Sequence, residues 1–225
     1  MKFLVIAAHP DDEVLGCGAS MAKWIKAGHE GQVMILGEGV ASRGGDDVSA
    51  QKAVLYKCAE TANGILGMTK PEIFDLPDNR FDSVDLLDIV QLIEKKIKGF
   101  QPDRILTHFS GDLNLDHSIT HRAVLTATRP MKGQSVKEIW AFEVNSATEW
   151  GFGQIEGRSF NPQIFEEVTA SIDLKIEAMA AYEAEAREWP HPRSSRALKA
   201  LSDYRGSASG CDAAEAFELI RQVVN

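Results

Sequence analysis

Phe3-Leu4-Val5-Ile6-Ala7-Ala8-His9-Pro10-Asp11-Asp12-Glu13 changes chemistry abruptly within a few residues. The run Phe3–Ala8 is apolar without interruption, as a strand buried on both faces must be, and such strands belong to parallel sheets. A His-Pro pair and three acids follow at once. From Glu13 to about Ala27, Val14, Leu15, Cys17, Met21, Trp24 and Ile25 recur at helical spacing, and Gly28 stands where a helix stop belongs. Strand, polar turn and helix therefore succeed one another in the first thirty residues or so.

The unit repeats along the chain. Gln32–Leu36 reads as a second strand, Asp46 to about Leu66 as a helix ended by Gly67, and Glu72–Leu76 as a third strand. Ser83 to about Ile97 reads as a helix that buries Val84, Leu86, Leu87, Ile89, Val90 and Ile93. Arg104–His108 is a fourth strand, His117–Thr128 a helix stopped by Pro130, and Lys137–Glu143 a fifth strand. This alternation predicts an α/β fold: a mostly parallel sheet with right-handed crossovers and helices on both faces. Beyond it, Pro162–Trp189 is expected as a long amphipathic helix and Ala213–Val224 as a shorter one. They would form a C-terminal helical extension around the loop Pro190-His191-Pro192-Arg193-Ser194. No repeat, low-complexity run or linker intervenes, so residues 1–225 are expected to form a single domain.

Of the 225 residues, 44% are hydrophobic and 25% charged, the proportions of a globular chain, which excludes disordered and fibrous classes. A net charge of −9 argues against nucleic acid or an anionic membrane as partner, though a local basic pocket could still take a phosphate. Cys17, Cys58 and Cys211 lack paired spacing and fit free thiols in a reducing compartment. The apolar start is too short for a signal peptide, and no stretch reaches the roughly 18 apolar residues that span a bilayer. A cytoplasmic protein without a membrane span is expected.

In open α/β sheets the ligand crevice lies at the carboxyl ends of the strands. Two unusual segments fall there: His9–Glu13 after the first strand, and His108-Phe109-Ser110-Gly111-Asp112-Leu113-Asn114-Leu115-Asp116-His117 after the fourth. A catalytic zinc takes three protein ligands and leaves a position for water. His9 and Asp12, across a turn stiffened by Pro10, can point at one spot, and His117 arrives from the second loop. The resulting His₂Asp set suits zinc, and such nitrogen and oxygen donors also accept another divalent ion such as Fe2+. Asp11 is then left as general base. Asp116 would hold an imidazole N–H, that of His117 or of another histidine. Acids at a helix start also serve as caps, but a second acid–histidine cluster at another strand end favours the metal site.

Other residues carry weaker signals. His121 forms an H-x-x-x-H pair with His117 and is a candidate pocket residue, and His108 lines the pocket or satisfies the core. Arg43, Asp78 and Arg80, each shortly after a strand, are candidates to bind hydroxyls or a phosphate; solvated loop charge is the plainer alternative. Gly16-Cys17-Gly18 starts too late after the strand to be a dinucleotide fingerprint, which disfavours a dehydrogenase. Trp24, Trp140 and Trp150 read as core or pocket wall.

Ala8-His9-Pro10-Asp11-Asp12-Glu13 resembles the hallmark of the LmbE/PIG-L family of zinc-dependent N-acetylglucosaminide deacetylases. Asp116-His117 resembles the end of that family's second motif, H-P-D-H. The tail from Arg205-Gly206-Ser207 to Ala214-Glu215-Ala216-Phe217 is similar to members that act on small sugar conjugates in thiol-cofactor synthesis. The resemblance implies a Rossmann-like fold, zinc on His9, Asp12 and His117, Asp11 as base, and an oligomer, for which the helix expected from Pro162 offers an apolar face. One position departs. Asn114 replaces the first histidine of H-P-D-H, which in the family helps to stabilise the oxyanion or protonate the amine. Asparagine can donate a hydrogen bond but cannot shuttle a proton near neutral pH. His191, or Asp11 acting a second time, is the candidate acid.

The expected reaction is removal of an acetyl group from an acetamido sugar, as a conjugate, sugar nucleotide or polysaccharide precursor. Two rivals stand: an amidase of a larger sugar conjugate, and a non-catalytic sugar-nucleotide-binding module. Asp11 speaks against the second, since a binding site needs no spare carboxylate.

Overall fold

Phe3 to Ala8 are all fully buried, and alternation divides their side chains between two cores. Phe3, Val5 and Ala7 face one, and Leu4, Ile6 and Ala8 the other. A strand covered on both sides has no polar face to display, hence the unbroken apolar run. The computed structural model describes residues 1–39 and 48–224. In chain order its elements are β1 (Lys2–Ala7), α1 (Asp12–Lys26), β2 (Glu30–Gly37), α2 (Val48–Ile65), β3 (Glu72–Leu76), α3 (Leu86–Phe100) and β4 (Arg104–His108). There follow α4 (Leu115–Ala127), β5 (Glu138–Phe142), β6 (Ile164–Glu167), α5 (Ile172–Ala180), α6 (Ser195–Ser209) and β7 (Ala214–Gln222).

Among the described residues the strands form one seven-stranded sheet in the order β3-β2-β1-β4-β5-β7-β6. The first five are parallel, and β7 runs antiparallel to both β5 and β6. Residues of α1, α2 and α5 pack into one core, and those of α3 and α4 into the other, so helices cover both faces as expected. The chain leaves β1 for β2 on one side and returns to β4 on the other. The loops after β1 and β4 are therefore neighbours at the point where strand order reverses, which is where such sheets bind ligands. No helix among the described residues is long and apolar enough to cross a membrane.

The C-terminal helical extension is overturned. Pro162–Trp189 is not one helix: Ile164–Glu167 is strand β6, and only Ile172–Ala180 is helical. The apolar face expected on that helix as an oligomer contact is absent with it. The shorter helix expected over Ala213–Val224 is also absent: Ala214–Gln222 is strand β7, with Phe217 paired to Phe142 of β5 and to Ile164 of β6. Alanine, glutamate and leucine favour helix locally, but an open β5 edge offers a row of unpaired backbone groups, and pairing with it outweighs propensity. Conversely, α6 went unread although its punctuation is in the sequence. Ser194 caps its first turn by accepting from the Ala197 N–H at 3.2 Å, and Gly210 ends it at φ 81°. A 3₁₀ turn at Phe81–Ser83 precedes α3, which starts at Leu86.

The helix α1 is broken at Cys17 (φ −150°, ψ 22°), so backbone groups on both sides lose their helical partners. Buried charges from the C-terminal region replace them. Glu215 accepts from the N–H groups of Ala19 and Ser20 at 3.1 and 2.7 Å, and Lys175 Nζ donates to the Leu15 carbonyl and to Glu215 Oε1, each at 2.7 Å. Gly16 sits at the same break because a Cβ there would lie 2.3 Å from the Phe142 ring. Its place is explained by helix–sheet packing. Replacing Glu215 with Ala strands a buried ammonium and two N–H groups, and should lower stability by about 3–5 kcal/mol. Urea unfolding measures this; a loss below about 1 kcal/mol would show that the splice is not structural.

Candidate metal centre and its cleft

The turn between β1 and α1 is tight because Asp12, the first residue of α1, reaches back and accepts the His9 N–H at 2.9 Å. That bond fixes the two side chains against each other, with His9 Nδ1 3.4 Å from Asp12 Oδ2. From the β4–α4 side, His117 places Nε2 3.3 Å from the same oxygen. The ligand atoms of His9, Asp12 and His117 lie within 4.8 Å of one another, and all three residues are buried.

The remaining nitrogens decide the tautomers. His9 Nε2 lies 2.9 Å from Asp116 Oδ2, and His117 Nδ1 lies 2.9 Å from Asp112 Oδ2. A carboxylate only accepts, so these nitrogens carry the protons, and in the neutral rings His9 Nδ1 and His117 Nε2 keep their lone pairs. Those are the atoms turned toward Asp12. Carboxylate–imidazole pairs of this kind orient metal-ligating histidines. Two other groupings are geometrically close, His108 with Asp112 and His117, and His9 with Asp78 and Asp116. The first fails because His108 Nε2 already accepts the Ala8 N–H at 2.8 Å. The second fails because His9 Nε2 bears the proton given to Asp116. His108 stacks on His117 at 3.9 Å between centroids and is fully buried behind it, away from the cleft surface.

The cluster stabilises positive charge. Burial pulls the His9 imidazole down, but Asp116, Asp12 and Asp78 outweigh it and push it up to about 10. Burial is likewise overcome at His117 by Asp12 and Asp112, which raise it to about 9. Asp12 is driven up by burial, yet the adjacent His117, His108 and His9 hold it well below the usual carboxylate range. A divalent cation would answer the same demand, and the donor set suits one.

Asp11 lies beside the cluster, 3% exposed, with a left-handed backbone (φ 108°, ψ −30°). Such a conformation costs a non-glycine residue about 1–3 kcal/mol and persists only where the surroundings impose it. Here its N–H donates to Glu13 Oε2 at 3.1 Å, and its carbonyl accepts from Val14 and Leu15 at 3.1 and 2.9 Å. Burial pushes the Asp11 carboxyl well above the usual range, opposed by Arg193, whose Nη1 is 2.7 Å from Oδ2. Glu13 is an internal anchor, receiving Tyr182 Oη at 2.6 Å and Asn63 Nδ2 at 3.0 Å.

These side chains line a cleft of about 480 Å³. The family comparison can be set beside that geometry. The model of the PIG-L family, described as GlcNAc-PI de-N-acetylase, matches residues 4–128, more than half of the chain. This chain belongs to the PIG-L family. It is similar in sequence to the uncharacterized deacetylase YaiS of Escherichia coli strain K12, 28% identical over 172 residues, with 73% of this chain and 80% of the relative covered. It is also similar to a 1D-myo-inositol 2-acetamido-2-deoxy-alpha-D-glucopyranoside deacetylase of Mycobacterium sp. strain JLS. There the identity is 24% over 238 aligned positions, with 86% of this chain and 77% of the relative covered. In structure it matches the N,N'-diacetylchitobiose deacetylase of Pyrococcus horikoshii with a TM-score of 0.78 at 17% identity, covering 98% of this chain and 84% of that one. At that identity the likeness speaks for the fold alone.

In this PIG-L chain the cleft receives His9, Asp11, Asp12, Asp78, Asn114 and His117 of the residues named from sequence. Asp116 orients His9, not His117. Asp78 lies 3.4 Å from His9 Nε2. Asn114 Oδ1 caps α4 by accepting the Asp116 N–H at 2.9 Å, while Nδ2 donates to Asn79 at 3.1 Å. The other candidates stand elsewhere. Arg80 is exposed and absent from the cleft wall. His121 turns inward to the His108 carbonyl at 2.8 Å, and Arg43 lies outside the described residues. His191 is displaced by its neighbour: it packs edge-on to Trp150 and accepts the Arg193 N–H, and the side chain that enters the cleft is that of Arg193.

Asp112 and Arg193 were missed. Asp112 could have been found as a carboxylate inside the second cluster, but Arg193 had no local signal apart from its Pro-rich loop. Asp112→Ala should weaken metal binding by about 10–100-fold in a competition titration against a chelating dye. Unchanged affinity would remove Asp112 from the site.

Proposed function

We propose that this chain is a metal-dependent N-deacetylase of acetamido sugars, with zinc held by His9, Asp12 and His117. The observation that carries the reading is the convergence of two imidazoles, each oriented by its own carboxylate, and one further carboxylate beside Asp11, a buried acid that such a site does not need as a ligand. PIG-L membership and the name of a sequence relative, a deacetylase of an inositol acetamidoglucoside, support an acetamido sugar as substrate.

Zinc bound there would supply a Lewis acid that polarises the amide carbonyl and acidifies water. The protein does the rest. Asp112 and Asp116 hold the two imidazoles in register. Asp11, whose carboxyl burial makes a stronger base than an exposed one, removes a proton from the attacking water. The second N–H of Asn114 Nδ2 is available to the developing oxyanion. Because His191 does not line the cleft, Asp11 returns the proton to the departing nitrogen, leaving a free amine and acetate. Asp78 and Asn79 line the cleft and form its polar wall on the side of His9 and Asn114. Exposed Leu113, Leu115 and Trp150 at the mouth favour a conjugate over a free monosaccharide.

The decisive experiment is mass spectrometry of acetate and amine released from a panel of acetamido sugars, glycosides and nucleotide sugars, with and without chelator. Chelation should abolish release. Asp11→Ala should retain metal and lose roughly 10²–10⁴-fold in turnover, whereas His117→Ala should lose the metal itself. Wild-type rates in the first variant, or full metal content in the second, would overturn the assignment.

A further inference from the structure

Arg193 is the only Lys or Arg among the described residues that line the cleft. It comes from a segment remote from the motif loops, yet it is firmly held. Ser194 caps α6, Asn145 Nδ2 donates to the Pro192 carbonyl at 3.2 Å, and the Arg193 N–H donates to His191 Nδ1 at 3.1 Å. Its guanidinium spans three acceptors. Nη1 reaches Asp11 Oδ2 at 2.7 Å and Glu185 Oε2 at 3.0 Å, and Nε reaches Ser146 Oγ at 2.8 Å. The side chain is 25% exposed, while those of Asp11 and Glu185 are 4% and 7% exposed.

Among the described residues, Arg193 is the one group that hydrogen-bonds the Asp11 carboxylate. Every other bond to Asp11 goes to its backbone, which sits in a conformation that leaves the side-chain direction to be set from outside. Asn114 does not supply that contact: its oxygen caps α4 and its amide donates to Asn79. A planar fork anchored on Glu185 and Ser146 holds an orientation that a lysine, with a single flexible ammonium, does not reproduce.

Building on the reading of Asp11 as base, we infer that Arg193 is its positioning residue: it ties up Oδ2 and leaves Oδ1 to take the proton of the attacking water. The C-terminal region thus supplies a functional part of a reaction whose motifs all lie before residue 118. Small displacements of a reacting group are costly in rate, about 100-fold for an ångström, and that is the size of effect expected when the clamp is removed.

The test uses the metal-loaded full chain, with Arg193→Ala, Arg193→Lys, Asp11→Ala and the double variant assayed on the best acetamido substrate of the wild type. Arg193→Ala should lose about 100-fold in kcat with KM within about threefold, at unchanged metal stoichiometry. Added guanidinium at non-denaturing concentration should restore part of the loss, and Arg193→Lys should fall between. The double variant should be no slower than Asp11→Ala, because a clamp has no work once its carboxylate is gone. Thermal unfolding of the four proteins, made metal-free, should show the same non-additivity without reference to activity.

A raised KM at intact kcat would instead make Arg193 a substrate-binding residue. Multiplicative losses in the double variant, or loss of metal from Arg193→Ala, would equally overturn the inference. If Asp11→Ala itself runs at the wild-type rate, the base assignment fails and not the clamp alone.

Discussion

Asp11, Asp12, Glu13, Asp112 and Asp116 are all buried at the ends of two strands. That much negative charge, removed from water, must be matched by positive charge and N–H donors or be neutralised. Nearly every feature of the site answers that demand. Asp12 faces His9 and His117; Asp116 takes an imidazole N–H and the Phe81 N–H; Asp112 takes the other imidazole and Thr148. Glu13 is met by Tyr182 and Asn63, and Asp11 by Arg193. At the spot shared by His9, Asp12 and His117, positive charge is favoured strongly enough to raise both imidazoles, and a divalent cation held there would meet the same demand.

The same balance explains why the C-terminal region is more than an appendage. Tyr182 and Arg193 reach the hallmark loop from beyond α5, and Lys175 with Glu215 splices the broken helix that follows that loop. The region matched by the PIG-L family, residues 4–128, brings the ligand residues, while the later residues hold them in a usable arrangement. A break in α1 lets the helix pass close over Phe142 at Gly16 and still deliver Asp11 and Asp12 to the rim. Local irregularity here is tied to long-range charge pairing, so neither would persist without the other.

The elements up to β5 were legible because each carries its own signal: an apolar run for a strand buried twice, a 3.6-residue period for a helix, glycine or proline at the stop. The candidate ligands His9, Asp12 and His117 stood out for a related reason: two acid–histidine clusters placed directly after buried strands are more than capping requires, and the structure brings these three together. Asp116 was seen as an imidazole partner, but its choice of His9 was not, because that depends on how α4 sits across from β1. His191 looked the better functional residue from its chemistry, yet the turn that presents the loop puts Arg193 inward. Ala214–Phe217 read as helix because propensity is counted along the chain, whereas an open sheet edge makes its offer across space.

What the sequence determined by itself was therefore the parallel α/β core and the two loops that carry acids and histidines at strand ends, from which His9, Asp12 and His117 stand out as candidate ligands. These are legible because burial patterns repeat within one element and the polar clusters each lie within one loop. Tertiary structure alone decided the antiparallel strands of the C-terminal region, the carboxylate that orients His9, and the partner of Asp11. Each depends on groups distant along the chain, His9 and Asp116 by 107 residues and Asp11 and Arg193 by 182, and backbone pairing and buried charge are settled only when both sides are in place.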